Sequence, residues 1–449
     1  MNQAIGAWFK QNEEALVRFS RDIWEHPEGL MEEFYSCERT SALLKAQGFD
    51  IALCHCKDPE QRPNTIVARW GSGHPVVAVF GEYDALPGLA QDAVPHRAPA
   101  PGYGHGCGHN LMITASVGAA CAVKAAMEQE KLAGTVVFFA CPAEEGGNGK
   151  MYMHRLGLFD GIDCLLGWHP EPGALTANEK VNLSIAKLTF SFTGRASHAS
   201  AAPEMGRSAM DAAELMSVGV QYMREHMSSD ARIHHAYEQV VTKANVVPEH
   251  AVVDYMVRAK DLNSVQSLVE RVVKVAQGAA LMTETSVTHT LHSALPGTLI
   301  LTSFTRFLYE SACKIPPLHY DEAEKIFAQT LYRNVFSTEP SEDVLEERLV
   351  APSGVPSTNF GSNDLGLVTH LIPTVRYIGL GLISGVPVHH WALTATAGMS
   401  IGQKAAVYVS KALAQSMYDI LKTPQVIEAW QVELEHNRKG KIYTPVWNG

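Results

Sequence analysis

Apolar residues recur at three- and four-residue spacing from Trp8 to Gly48 (Leu16, Phe19, Ile23, then Leu43 and Leu44), a pattern that predicts helix closed by Gly48. Three short β-rich runs follow, Asn64–Trp70, Pro75–Phe80 and Thr135–Ala140, two of them almost continuously apolar, as strands buried on both faces are. Between the last two, Ile113–Gln129 is rich in Ala and reads as a packed helix. Strand, helix, strand is the repeating unit of a layered α/β domain.

The pattern changes near Ser184. Ile185–Phe192 alternates like a half-exposed strand, Ser208–His226 is amphipathic, and Gln239–Val247 and Ala251–Ala259 read as strands. Asp261–Thr285 is a long helix burying Val265, Leu268, Val269, Val272, Val273 and Ala276, and Thr285–His292 alternates again. Residues 185–294 therefore read as an α+β insert with its own sheet. Beyond Leu295 the chain is helical, loop-rich around Glu339–Thr358, returns to a strand at Thr374–Gly379 and closes with the helix Gly402–Lys422. The predicted class is α/β: a discontinuous layered α/β core, 1–184 and 295–449, interrupted by a smaller domain.

The chain has 449 residues and a net charge of −11, from 36 Lys+Arg and 47 Asp+Glu. That balance argues against nucleic acid or an anionic membrane as a partner, since phosphate affinity rests on clustered basic residues. Apolar stretches such as Val76–Phe80 and Val136–Cys141 are far too short to span a bilayer. The N-terminal segment lacks the basic flank and apolar run of a signal peptide. Eight scattered cysteines form no disulfide framework, so reduced thiols and a cytoplasmic location are expected, with Cys54-His55-Cys56 read as carrying two ordinary thiols.

Five segments carry candidate chemistry. Gly104-His105-Gly106-Cys107-Gly108-His109 packs metal-binding side chains between glycines, next to a predicted helix N-terminus. Glu144-Glu145-Gly146-Gly147 follows a buried strand, where adjacent carboxylates are costly unless positive charge is near; there one Glu could ligate and the other move a proton. Gly167-Trp168-His169-Pro170, Pro387-Val388-His389-His390-Trp391 and Gly81-Glu82-Tyr83-Asp84 complete the set. Singly, each has a plain reading as a glycine-rich turn, an acidic turn or a core histidine. Four of the five, however, sit at predicted strand ends, where α/β sheets bind ligands.

Taken in order, GEYDALPG, GHGCGHN, PAEEGGNGK, GWHPE and PVHHW resemble the M20 family of metal-dependent peptidases and amidohydrolases, in particular its amidohydrolase branch, subfamily D, with the p-aminobenzoyl-glutamate hydrolase group and dipeptidase relatives. The likeness extends to GRASHAS and ANVVPEHAVVDYMVRA in the insert. It implies two divalent metal ions in each chain, zinc or manganese. Cys107 would take the bridging position, and His109, Glu145, His169 and His389 the other ligand positions. His390 rivals His389, but the His-x-Trp spacing favours His389. Glu144 matches the general base and Asp84 the acid that orients a ligand. Glu82 stands where many relatives carry a ligand histidine, which the branch with the cysteine-histidine loop generally lacks too.

The resemblance further implies that the insert is a dimerisation or lid domain in a homodimer, and it allows a second, different but related chain as partner. His198 would reach the neighbouring protomer's site to steady an oxyanion. Asn245 and Arg258 match positions that hold the substrate's carboxylate; thirteen residues apart across two adjacent predicted strands, both could face one cleft, although Arg258 could equally sit in a structural ion pair. The implied reaction is hydrolysis of the amide of a small N-acyl amino acid such as p-aminobenzoyl-glutamate, or of a dipeptide. Two rivals stand beside it: a cysteine hydrolase using Cys107 with His109 or His169 as base, and a non-catalytic metal-binding protein, against which Glu144 counts.

Overall fold

The structure is a computed structural model and describes residues 1–240 and 243–439. These group into two units: Met1–Glu179 with Leu299–Ser357 and 368–439, and Lys180–Thr298 with Thr358–Leu367.

In the first unit seven strands form one sheet, in the order Asp50–Cys54, Thr65–Ser72, Gly134–Cys141, Val76–Glu82, Cys164–Pro172, Thr374–Leu382, Thr176–Ala177. The inner four are parallel and the outer strands antiparallel. Val76–Glu82, Gly134–Cys141 and Thr374–Leu382 are buried throughout, which explains their mostly apolar sequences. Alternate residues (Val77, Val79; Val136, Phe138, Ala140; Leu166, Trp168) join the core formed with helices Gln3–Glu25, His109–Glu130 and Ser400–Lys422. Each large apolar side chain buried this way contributes roughly 1.5–3 kcal/mol. The helix His109–Glu130 has the length and composition to cross a membrane, a longer apolar run than the strand-length stretches expected, but 89% of its most apolar window is buried inside the protein.

The second unit is a four-stranded antiparallel sheet in the order Arg232–Gln239, His250–Ala259, Ser184–Thr193, Ser286–Leu295. One face, carrying Leu188, Phe190, Phe192, Val253, Tyr255 and Val257, packs on helices Ala209–Met223 and Leu262–Met282. Asp261 caps the second helix by accepting from the Ser264 N–H at 2.8 Å.

The α/β class read from the sequence is the one observed, and several elements depart from the pattern. The first helical stretch is two helices, Gln3–Glu25 and Phe34–Ala46, separated where Pro27 and Gly29 interrupt it. The helix expected from Ile113 begins at His109, because Gly108 at φ +77° turns the chain into it. The strand expected at Gln239–Val247 is instead Arg232–Gln239; residues 241 and 242 lie outside the described residues, and Asn245 sits in a turn. The C-terminal region carries a further helix, Val426–Arg438, after Ser400–Lys422.

At Gly81 the helix His109–Glu130 lies close against the sheet: a Cβ there would stand 2.8 Å from Ile113 Cα, whereas one at Gly278, in the helix Leu262–Met282, would meet nothing within 4 Å. Gly81→Ala is therefore expected to destabilise the fold by about 1–3 kcal/mol, and Gly278→Ala to leave it unchanged or raise its stability by roughly 0.5–1 kcal/mol. Urea midpoints of the two variants check both signs.

Candidate metal centre

The parallel strands of the first unit deliver the candidate side chains at or beyond their C-terminal ends. Val76–Glu82 leads to Asp84, Gly134–Cys141 to Glu144 and Glu145, Cys164–Pro172 carries His169, and Thr374–Leu382 leads to the loop of His389. Cys107 and His109 lie on either side of Gly108, at the start of the helix behind the central strand. Gly108 is required twice over: its φ is +77°, and a Cβ would press 2.8 Å from Pro170 Cγ.

Asp84 joins two of these segments. Its Oδ1 and its backbone oxygen each lie 3.0 Å from His109 Nδ1, and its Oδ2 accepts the Glu145 N–H at 2.9 Å. With Nδ1 donating to Asp84, the Nε2 of His109 faces Cys107 and Glu82, whose Oε2 is 3.5 Å away. Cys107 Sγ is 3.4 Å from His169 Nε2, and His389 Nε2 is 3.2 Å from Glu145 Oε2. His389 holds a left-handed backbone, φ +61°, a strained state that surrounding structure must enforce.

Three groups of potential metal donors result, each with its atoms within 4.8 Å of one another: Cys107, His109 and His169; Cys107, Glu145 and His389; Glu82, His109 and Glu144. Their chemistry, thiolate, imidazole and carboxylate, is that of zinc and manganese ligands. The fit is supported by unmet polar atoms: His109 Nε2, Glu82 Oε2, Glu145 Oε1 and His169 Nδ1 are buried and make no hydrogen bond among the described residues.

Electrostatics run the same way. Burial pushes the Cys107 thiol far up, and Glu145 adds to the shift, the reverse of an activated nucleophile. Burial drives His169 well below the usual imidazole range, with Arg376 and His109 pushing the same way, so it presents a neutral ring. Burial also raises the Asp84 carboxyl, but His109 and the Glu145 N–H outweigh it and hold it below its ordinary value. For His109 burial opposes charge, yet Cys107 and Asp84 win and lift it well above the normal range. A divalent cation would displace that proton.

Asp84, Cys107, His109, Glu144, Glu145, His169 and His389 are thus brought together within the first unit. His390 is not among the donor groups; its Nδ1 accepts the Ala392 N–H and caps the next helix. His105 is also set apart, buried with Nε2 3.2 Å from the Ile23 carbonyl. His198, Asn245 and Arg258 belong to the second unit. Asn245 is in a turn and not on a strand, so the cleft argued from two adjacent strands does not hold; its carbonyl accepts the Ala199 N–H at 3.0 Å and so ties its loop to that of His198. Arg258 lies on the strand His250–Ala259, and no carboxylate pairs with it among the described residues.

Two positions escaped the sequence reading. Glu33 is fully buried and accepts from the Ala143 N–H at 2.8 Å and the Met31 N–H at 3.1 Å, pinning two residues of positive φ beside the Glu144 loop. Burial, reinforced by Asp84, pushes its carboxyl up to about 8. Lys150, also buried, pairs with Glu82. Nothing in the neighbouring sequence marks Glu33; Lys150 closes the PAEEGGNGK segment, but nothing beside it points to a partner at Glu82.

A strand-end cluster of this composition could hold divalent cations, and similarity to known proteins places the chain in a family. The profile of Peptidase family M20/M25/M40 matches residues 78–292. The chain is 35% identical over 437 residues to a subunit of p-aminobenzoyl-glutamate hydrolase from Escherichia coli (strain K12), covering 92% of this chain and 90% of that one. It is 27% identical to the Xaa-Arg dipeptidase of Mus musculus, covering 94% and 89%. Among solved structures, a dinuclear metal-binding M20 peptidase from Bacillus subtilis matches with a TM-score of 0.62 at 20% identity, over 92% of this chain and 99% of that one. An aminobenzoyl-glutamate utilization protein from Klebsiella pneumoniae matches at 0.59 and 18%, over 90% and 98%. The chain belongs to the M20 peptidase family and is a hydrolase of amide bonds.

Asp84→Asn replaces one acceptor oxygen with a donor at the junction of His109 and Glu145. It should weaken zinc or manganese binding about 10–100-fold, measured by competition with a chromophoric chelator, while the far-ultraviolet dichroism stays unchanged. Undiminished affinity would remove Asp84 from its orienting role.

Proposed function

We propose that this chain hydrolyses the amide bond of a small N-acyl amino acid, p-aminobenzoyl-glutamate being the model substrate, at a two-ion centre with Glu144 as the general base. The observation that carries the reading is the meeting of two donor groups at Cys107, with the Glu144 carboxylate in a neighbouring group that shares His109. The name of the Escherichia coli relative supports the substrate class, and that of the mouse relative supports a dipeptide as the alternative.

In this reading Cys107, His109, His169, Glu145 and His389 would hold the two ions. Bound there, divalent ions would acidify water and polarise the amide carbonyl. Glu144 takes a proton from the attacking water and passes it to the departing nitrogen. Asp84 keeps His109 in the tautomer whose Nε2 is the ligand atom. The fold supplies what this requires, since the donors and the base come from strand ends, loops and a helix start spread along the chain and converge at one edge of the sheet.

The second unit supplies recognition. Arg258 is half-buried, burial lowers its pKa, and it has no carboxylate partner among the described residues, which suits a fork waiting for a substrate carboxylate. His198 Nδ1 accepts the Ala201 N–H at 3.1 Å, so the ring's proton sits on Nε2, the form able to donate to an oxyanion. We place that donor in the active site of a second copy in a homodimer, and the whole assembly in a reducing cytoplasm; all eight cysteines are free.

Two mutational tests follow from these roles. Glu144→Gln should lower kcat by about 100-fold or more with full metal content, whereas Glu145→Gln should lose metal as well; the reverse pattern in elemental analysis exchanges their roles. A chelator should abolish turnover, which a Cys107 thiol enzyme would survive. Mixing His198→Ala with Glu144→Gln protein, each inactive alone, should restore part of the activity once protomers exchange. Confirmed exchange without recovery would place His198 in its own protomer's chemistry or outside it.

A further inference from the structure

The last residue of the central strand, Glu82, and Lys150, in the short helix after the Glu144 loop, are each 1% exposed, and Lys150 Nζ lies 2.5 Å from Glu82 Oε1. A buried ion pair gains little stability, because desolvating both charges offsets their attraction. The pair is also lopsided. Lys150 takes one carboxylate oxygen, while the other, Oε2, is buried, accepts no hydrogen bond among the described residues and stands 3.5 Å from His109 Nε2. That nitrogen is the one His109 leaves for a ligand role, since Nδ1 is committed to Asp84. A carboxylate oxygen and an imidazole nitrogen at this separation, neither satisfied, fit two donors to one cation.

Charge supports the same assignment. Glu82, Asp84, Glu144, Glu145 and a thiolate at Cys107 place five negative charges around the centre. Two divalent ions do not balance them; fixed positive charge comes from Arg376, which acts on His169, and from Lys150, against the face of Glu82 that points away from His109.

Resting on the metal-centre reading above, we propose that Glu82 is itself a metal ligand, sharing a cation with His109 through Oε2, and that Lys150 is a positioning residue that holds its other oxygen. The rival reading makes Glu82 and Lys150 a structural pair that never touches metal.

The two are separated by metal content and cobalt spectra rather than by turnover. Glu82→Gln alone leaves Lys150 buried without its counter-charge and can fail to fold, so the decisive variant is Glu82→Gln with Lys150→Met, an uncharged pair of similar bulk. Each protein is dialysed against zinc or cobalt and its ions counted, with thermal unfolding of the metal-free form confirming the fold. The double variant should bind one ion at least about tenfold more weakly than the wild type, with a changed cobalt d–d envelope and an intact thiolate-to-cobalt band from Cys107. Lys150→Met, which keeps Glu82, should retain both ions. If the double variant binds two ions with wild-type affinity and an unchanged spectrum, the assignment is wrong and the pair is structural. If the wild type binds no ion at all, the metal centre itself falls, and this assignment with it.

Discussion

The carboxylate of Asp84 accepts from His109 Nδ1 at 3.0 Å and from the Glu145 N–H at 2.9 Å, inside a core where its side chain has no exposure. Those two bonds join the start of a helix to the loop after a strand, and the oxygen–nitrogen geometry leaves His109 Nε2 and the Glu145 carboxylate facing a common space. An anion in such a place is tolerated only because its acceptor sites are filled and an imidazole stands beside it. Asp84 therefore sets the tautomer of one donor and the position of another at once. The remaining donors, Cys107, His169 and His389, are arranged around what it holds.

The sheet explains why this anchor can exist. Parallel strands buried on both faces end at one edge, so loops from distant parts of the sequence converge there without any of them crossing the core. The glycines serve that convergence: Gly108 makes the turn into the helix, and Gly81 lets the helix settle against the strand that carries Glu82 and leads to Asp84. Burial then raises the cost of every unpaired charge. The positive charge that the cluster calls for comes from Lys150 and Arg376 within the protein and from the ions proposed to sit among the donors.

Legibility in the sequence followed the range of each interaction. Strands such as Val76–Glu82 and helices such as Leu262–Met282 were readable because burial imposes a period on neighbouring residues. The Cys107–His109 and Glu144–Glu145 segments stood out because glycines and strand ends lie beside them in the chain. Arg232–Gln239 was missed because it is an edge strand with one buried residue, Ile233, and so no apolar period. Glu33 reaches Ala143 across 110 residues and Lys150 reaches Glu82 across 68, and pairings of that kind leave no mark on local composition. Asn245 departs from its expected strand for a related reason: its apolar neighbours suggest β structure where hydrogen bonds to the His198 loop hold a turn.

The most direct measurement is anomalous diffraction from zinc-loaded crystals, recorded on both sides of the zinc absorption edge. A two-ion centre built on Cys107 should give two peaks per chain, each about 2.3 Å from the Cys107 sulfur, with His109 and His169 around one and Glu145 and His389 around the other. A single ion, or a Cys107 sulfur with no metal neighbour, would contradict it.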